Sequence, residues 1–154
     1  MKHIWSVLCR KSIIDSETNN ISLNDVFEQL SINIDASANK SIKTKINIPV
    51  EFEVVSMWLN TTGQKIFKAE MEVNFVTPEG TIINSLKQNI EVSNMARRLR
   101  TRLKSLGLGV GDSGTYTFEV KIKEYGEDKF KTVAKIPLEV IVNKKEVTNP
   151  IDKK

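Results

Sequence analysis

Along most of this chain apolar and polar residues alternate one for one. The cleanest run sets Phe67, Ala69, Met71, Val73 and Phe75 against Lys68, Glu70, Glu72 and Asn74. A second sets Tyr116, Phe118, Val120 and Ile122 against Thr117, Glu119, Lys121 and Lys123. A period of two is the side-chain period of a β-strand, and one wet side with one apolar side marks a half-buried antiparallel strand. Val50, Phe52, Val54, Ser56 and Trp58 alternate with Glu51, Glu53, Val55, Met57 and Leu59. There the polar side turns apolar halfway, so the far end is predicted to be covered on both faces. Glu51 and Glu53 read as solvated surface.

The remaining segments fit around these runs. Ile4 to Cys9 is nearly continuous apolar and suits a first strand covered on both faces. Asp15 to Asn20 is turn chemistry. Ile21 to Leu30 fits a strand paired with the first as a hairpin, although Val26, Phe27 and Leu30 also fit a helical turn. Ser31 to Asn47 is polar and reads as a long loop with a short edge strand at residues 32–34. Thr61-Thr62-Gly63-Gln64 is a hairpin connection with glycine where positive φ is expected. Thr81 to Val92 is a further strand. Phe130 to Val142 is the last, and Pro137 in its middle predicts an edge position or a bulge. Residues 95–106 satisfy two periods. Leu99, Leu103 and Leu106 share a helical face, while a strand turns Leu99, Thr101 and Leu103 inward and Arg98, Arg100, Arg102 and Lys104 outward. The strand-rich context favours the second. The fold class is therefore all-β, an antiparallel β-sandwich of seven to nine strands, with one domain over residues 1–142 and a charged tail over 143–154.

The stretch from Gly107 to Val120 (GLGVGDSGTYTFEV) is a glycine-rich corner feeding a strand, with backbone free to take positive φ. Within it, Asp112-Ser113-Gly114-Thr115-Tyr116 resembles the signature by which immunoglobulin-like domains open strand F. The resemblance implies a tyrosine corner, with Asp112, Gly114 and Tyr116 as structural residues and the Tyr116 hydroxyl bonded back to nearby backbone. That family places a cysteine two residues after the tyrosine. Phe118 stands there, so no inter-sheet disulfide forms at that point. Trp58, on a strand before a hairpin, resembles the buried tryptophan of strand C. With Trp5-Ser6-Val7-Leu8-Cys9 and Asn20-Ile21-Ser22-Leu23, the whole chain is also similar to small uncharacterised bacterial sandwich proteins, a likeness that implies no activity.

Composition adds limits. The chain has 154 residues, 40% apolar and 27% charged, enough for a substantial core. Cys9 is the only cysteine and His3 the only histidine. Six residues apart on one strand they point to the same face but lie about 20 Å apart. That separates nucleophile from base and leaves Cys9 as a small apolar side chain. The N-terminal apolar run is too short to span a membrane and lacks a cleavable leader's features, so a cytoplasmic location is expected. No P-loop, dinucleotide fingerprint, zinc-protease helix or serine elbow occurs. A non-enzyme without metal or cofactor is expected.

The sharpest functional candidate is the basic row Arg97, Arg98, Arg100, Arg102 and Lys104. Guanidinium forks suit phosphates, which makes nucleic-acid or polyanion binding one reading. The bland reading is a solvated face balanced by acids such as Glu119, with one arginine pairing Asp112 as in immunoglobulin-like domains. The row lacks the interleaved aromatics of single-strand binders. Fold analogy and the absence of catalytic motifs make an interaction or assembly module for a protein partner the leading expectation. Nucleic acid is the alternative. Sheet edges also allow a homo-oligomer.

Overall fold

Each alternating run becomes a strand. A computed structural model describes residues 1–35, 46–61, 66–93 and 97–145. Its strands are β1 (Lys2–Ile14), β2 (Ile21–Val26), β3 (Gln29–Asp35), β4 (Ile46–Ile48), β5 (Phe52–Leu59), β6 (Ile66–Val76), β7 (Ile82–Ser93), β8 (Arg98–Ser105), β9 (Leu108–Val110), β10 (Gly114–Glu124) and β11 (Lys131–Lys145). No helix occurs among the described residues. A four-stranded sheet in the order β2-β1-β5-β8 faces a five-stranded sheet in the order β3-β11-β10-β6-β7. A small β4-β9 pair closes the core beside Phe52 and Phe118 with the buried Leu108.

The core is what the period-two pattern requires. Phe67, Ala69, Met71 and Val73 come from β6, and Tyr116, Phe118, Val120 and Ile122 from β10. Phe52, Val54 and Trp58 reach them from β5. The rings of Phe52 and Phe118 meet edge to face across the two sheets, 5.4 Å between centroids, and Phe75 packs on Phe118 at 4.6 Å. Aromatic contacts of this kind add about 0.5–1.5 kcal/mol beyond their buried area. The buried Trp58 and Thr101 are partnered. The Trp58 indole donates to Thr101 Oγ1 at 2.9 Å, and that hydroxyl donates to Met71 Sδ at 3.2 Å, linking β5, β8 and β6.

At the glycine-rich corner the Tyr116 hydroxyl accepts from the Gly111 backbone N–H (2.8 Å) and donates to the Asp112 carbonyl (3.1 Å). Ser113 Oγ accepts from the Val142 N–H at 2.9 Å and ties the corner to β11. Gly114 is demanded by close packing: a Cβ there would lie 2.7 Å from the Pro78 ring. Positive φ is confined to Gly114 in this stretch, not spread over the run, because β9 carries residues 108–110 in extended form.

Several expectations change. Among the described residues eleven strands stand where seven to nine were expected, because short pieces such as β4 and β9 pair outside the long runs. Ile21 to Leu30 is two strands. β2 completes the hairpin with β1, Asp25 (φ 51°) dropping out of the register before Val26, and after the break at residues 27–28 β3 belongs to the other sheet, where it runs parallel to β11. That is the one parallel pairing among the described strands. The expected edge strand at 32–34 belongs to β3. Residues 98–105 are strand. Pro137 does not mark an edge strand, since β11 lies between β3 and β10. The Glu139 N–H reaches Glu28 on the β3 side, and by alternation the proline nitrogen faces that side too, just before β3 joins. The last strand runs past Val142 to Lys145. Trp58 is buried, but on β5, in the sheet opposite β10, whereas an immunoglobulin strand C shares the sheet of strand F. The Gly63 connection and tail residues 146–154 lie outside the described residues.

Tyr116→Phe removes the acceptor of the Gly111 N–H and the donor to Asp112. It should lower unfolding stability by about 1–2 kcal/mol in a denaturant titration, with an unchanged denaturant slope. An unchanged midpoint would mean the corner bonds contribute nothing.

Candidate functional site

The basic row lies on β8, the last strand of the four-stranded sheet. Pairing with β5 sets Arg98 opposite Leu59, Arg100 opposite Met57, Arg102 opposite Val55 and Lys104 opposite Glu53. Directly opposed residues share a face. Since Trp58, Ser56 and Val54 point into the core, these four side chains lie on the outward face. Arg97 stands just before the strand, and its carbonyl accepts from the Asn60 N–H at 3.1 Å.

That outward face is not open. The β1–β2 hairpin folds back across it. At its tip Asp15 shapes the turn, its carboxylate accepting from the Thr18 N–H (2.7 Å), the Thr18 hydroxyl (2.9 Å) and the Glu17 N–H (3.0 Å). The Thr18 bonds, foremost, hold the Asp15 carboxyl below the usual carboxylate range. The turn puts Asn19 in the left-handed region, φ 54°, which asparagine tolerates. Arg100 reaches it there, donating to the Asn19 carbonyl at 2.6 Å and to its Oδ1 at 3.2 Å. Arg102 donates to the Ser12 carbonyl at 3.5 Å.

Under the hairpin sits Glu53, only 2% exposed. The expectation of solvated surface holds for the exposed Glu51 and fails for Glu53. The Ser12 N–H donates to Glu53 Oε2 at 3.2 Å, the Ser12 hydroxyl donates to the same oxygen, and Lys104 Nζ lies 3.2 Å from Oε1. Burial pushes this carboxyl up. The Ser12 hydroxyl and Lys104 outweigh burial and hold it below its ordinary value. Cys9, directly opposite Glu53 and fully buried, has its thiol pushed up, first by burial and then by the Glu53 charge. It stays a protonated, unreactive thiol.

The acid that balances the row is therefore Glu53. Glu119 belongs to the other sheet, where Lys135 (2.9 Å) and Lys121 (3.2 Å) hold it. No ion pair joins an arginine of the row to Asp112 among the described residues. The outer face of the five-stranded sheet is a self-satisfied ladder, with Lys68–Glu91, Lys87–Glu72 and Lys123–Glu70 at 2.9–3.3 Å.

One polar cluster has no signal in the sequence. The register of β1 against β5 shifts between His3 and Trp5. His3 therefore turns to the core side opposite Trp58, while Cys9 stays on the outer face with Glu53; the same-face expectation fails. The His3 ring packs edge-on to Trp58 at 5.2 Å, and its Nε2 is 2.8 Å from Ser6 Oγ, itself 2.8 Å from Ser56 Oγ. Burial lowers the His3 pKa. The cluster satisfies the fully buried Ser56 inside the sheet.

Glu53→Gln keeps an acceptor for Ser12 and loses the charge facing Lys104. It should destabilise by about 1–2 kcal/mol at neutral pH. Because the folded pKa is depressed, this stabilisation is complete above the ordinary carboxylate pKa of about 4.3 and is lost as pH falls through the lower folded value. The gap between wild type and variant in chemical denaturation should close over that window. A gap independent of pH would show that Glu53 is not ionised in the fold.

Compared with known proteins, the chain matches no family model and no curated relative, so its own geometry carries the functional reading.

Proposed function

We infer that the chain is a non-enzymatic, immunoglobulin-like interaction module that binds another protein through the β8 edge of its four-stranded sheet. The immunoglobulin-like reading draws on the back-bonded Tyr116 and on the Phe52–Phe118 contact between β5 and β10. That contact spans the two sheets in the manner of the family's inter-sheet disulfide. The observation that carries the binding reading is β8 itself. It is a terminal strand of its sheet with no strand on its outer side among the described residues, and its Arg98, with Arg97 just before it, is exposed without an ion pair there. An unpaired edge is a template for a further chain.

Nucleic-acid binding through the row is less well served. Arg100 and Arg102 are committed to the hairpin and Lys104 to Glu53, which leaves few free cations for a phosphate track.

A photo-reactive residue at position 98, with position 135 on the opposite sheet as control, tests the reading inside cells. A protein adduct from position 98 and none from 135 is expected. Nucleic-acid adducts at 98, or no adduct at either position, would contradict it.

A further inference from the structure

We propose that the open edge of β8 takes an acidic, extended segment of its partner as an added antiparallel strand. This rests on the interaction-module reading and names the chemistry of the partner.

The argument begins with which backbone groups are open. The Asn60 N–H bonds the Arg97 carbonyl, so residues 60 and 97 form a hydrogen-bonded pair. Such pairs alternate along an antiparallel ladder. Leu99, Thr101 and Leu103 therefore spend their N–H and C=O on β5, in register with Trp58, Ser56 and Val54. Arg98, Arg100, Arg102 and Lys104 turn theirs away from β5, towards the side where no strand lies among the described residues. The four residues with open backbone groups are thus the four with basic side chains.

This coincidence specifies a partner. A strand added antiparallel would exchange both hydrogen bonds with each of these residues, its directly opposed Cα atoms about 5.5 Å away. Its side chains at those positions would lie on the same outward face, against the basic row. Aspartate or glutamate opposite Arg98 meets a guanidinium that is exposed and has no ion pair among the described residues, while Arg100, Arg102 and Lys104, held by the hairpin and Glu53, add positive charge to the same margin.

The same row excludes the other occupants. Two copies of β8 edge to edge would set arginine against arginine, and like charges directly opposed destabilise a pair. A basic edge is a common guard against indiscriminate pairing. Here it also selects, refusing neutral and basic strands while accepting acidic ones. The edge of the other sheet on this side, β7, offers no such code, because its Lys87 and Glu91 are paired with Glu72 and Lys68.

The test is fluorescence anisotropy with three labelled peptides: one alternating glutamate and valine, one alternating lysine and valine, and the glutamate peptide N-methylated at the amides that would face β8. Only the first should bind, with new protection of the Arg98, Arg100 and Arg102 amides in hydrogen exchange. Arg98→Glu, at an exposed site with no ion pair to lose, should weaken it roughly fivefold and gain affinity for the lysine peptide. Arg98→Lys should keep most of the binding. No binding of the glutamate peptide, or equal binding of its N-methylated form, overturns the added strand. An adduct at position 98 without peptide binding overturns this chemistry and leaves the module standing; neither result means both readings fall.

Discussion

β5 has no wet side, and the rest of the molecule is arranged to cover it. One face, with Phe52, Val54 and Trp58, is covered by the second sheet. The other carries Val55, fully buried, and Glu53, a carboxylate almost without solvent. A carboxylate removed from water is costly unless its oxygens are bonded. Ser12 and Lys104 meet that need, and Ser12 brings the β1–β2 hairpin down over the sheet with it. The hairpin is then fixed at its tip by Arg100 on Asn19.

This arrangement divides the labour of the basic row. Outward side chains stabilise the hairpin, while the backbone of the same residues is left at the sheet's margin. Sandwiches generally protect such margins with charge, bulges or short strands. The other sheet follows that practice with a full ladder of ion pairs on its outer face. On β8 the charges are all of one sign.

Much of this was legible in the sequence. The alternating runs at 67–75 and 116–122 mark their strands and core faces, because burial of one face enforces period two. Val55 is covered on both faces as its pattern predicts, but Met57 and Leu59 at the far end of β5 are only half-buried, and the covering reaches Glu53 at the near end instead. Residues 95–106 fit helix and strand alike, since Leu99 and Leu103 satisfy both periods. What was hidden is what depends on pairing. A register shift in β1 separates His3 from Cys9, a break at residues 27–28 splits one expected strand between two sheets, and the burial of Glu53 depends on a hairpin folding back from its own sheet. The row of arginines was visible. Its position on a margin was not, because strand order is a tertiary property.

The most direct test of the open edge is amide hydrogen exchange of the free protein, residue by residue along β8. Leu99, Thr101 and Leu103, bonded to β5, should exchange slowly, and Arg98, Arg100, Arg102 and Lys104 fast, in strict alternation. Uniform protection through the strand would mean that the edge is already occupied, and the account of β8 as a binding margin would be wrong.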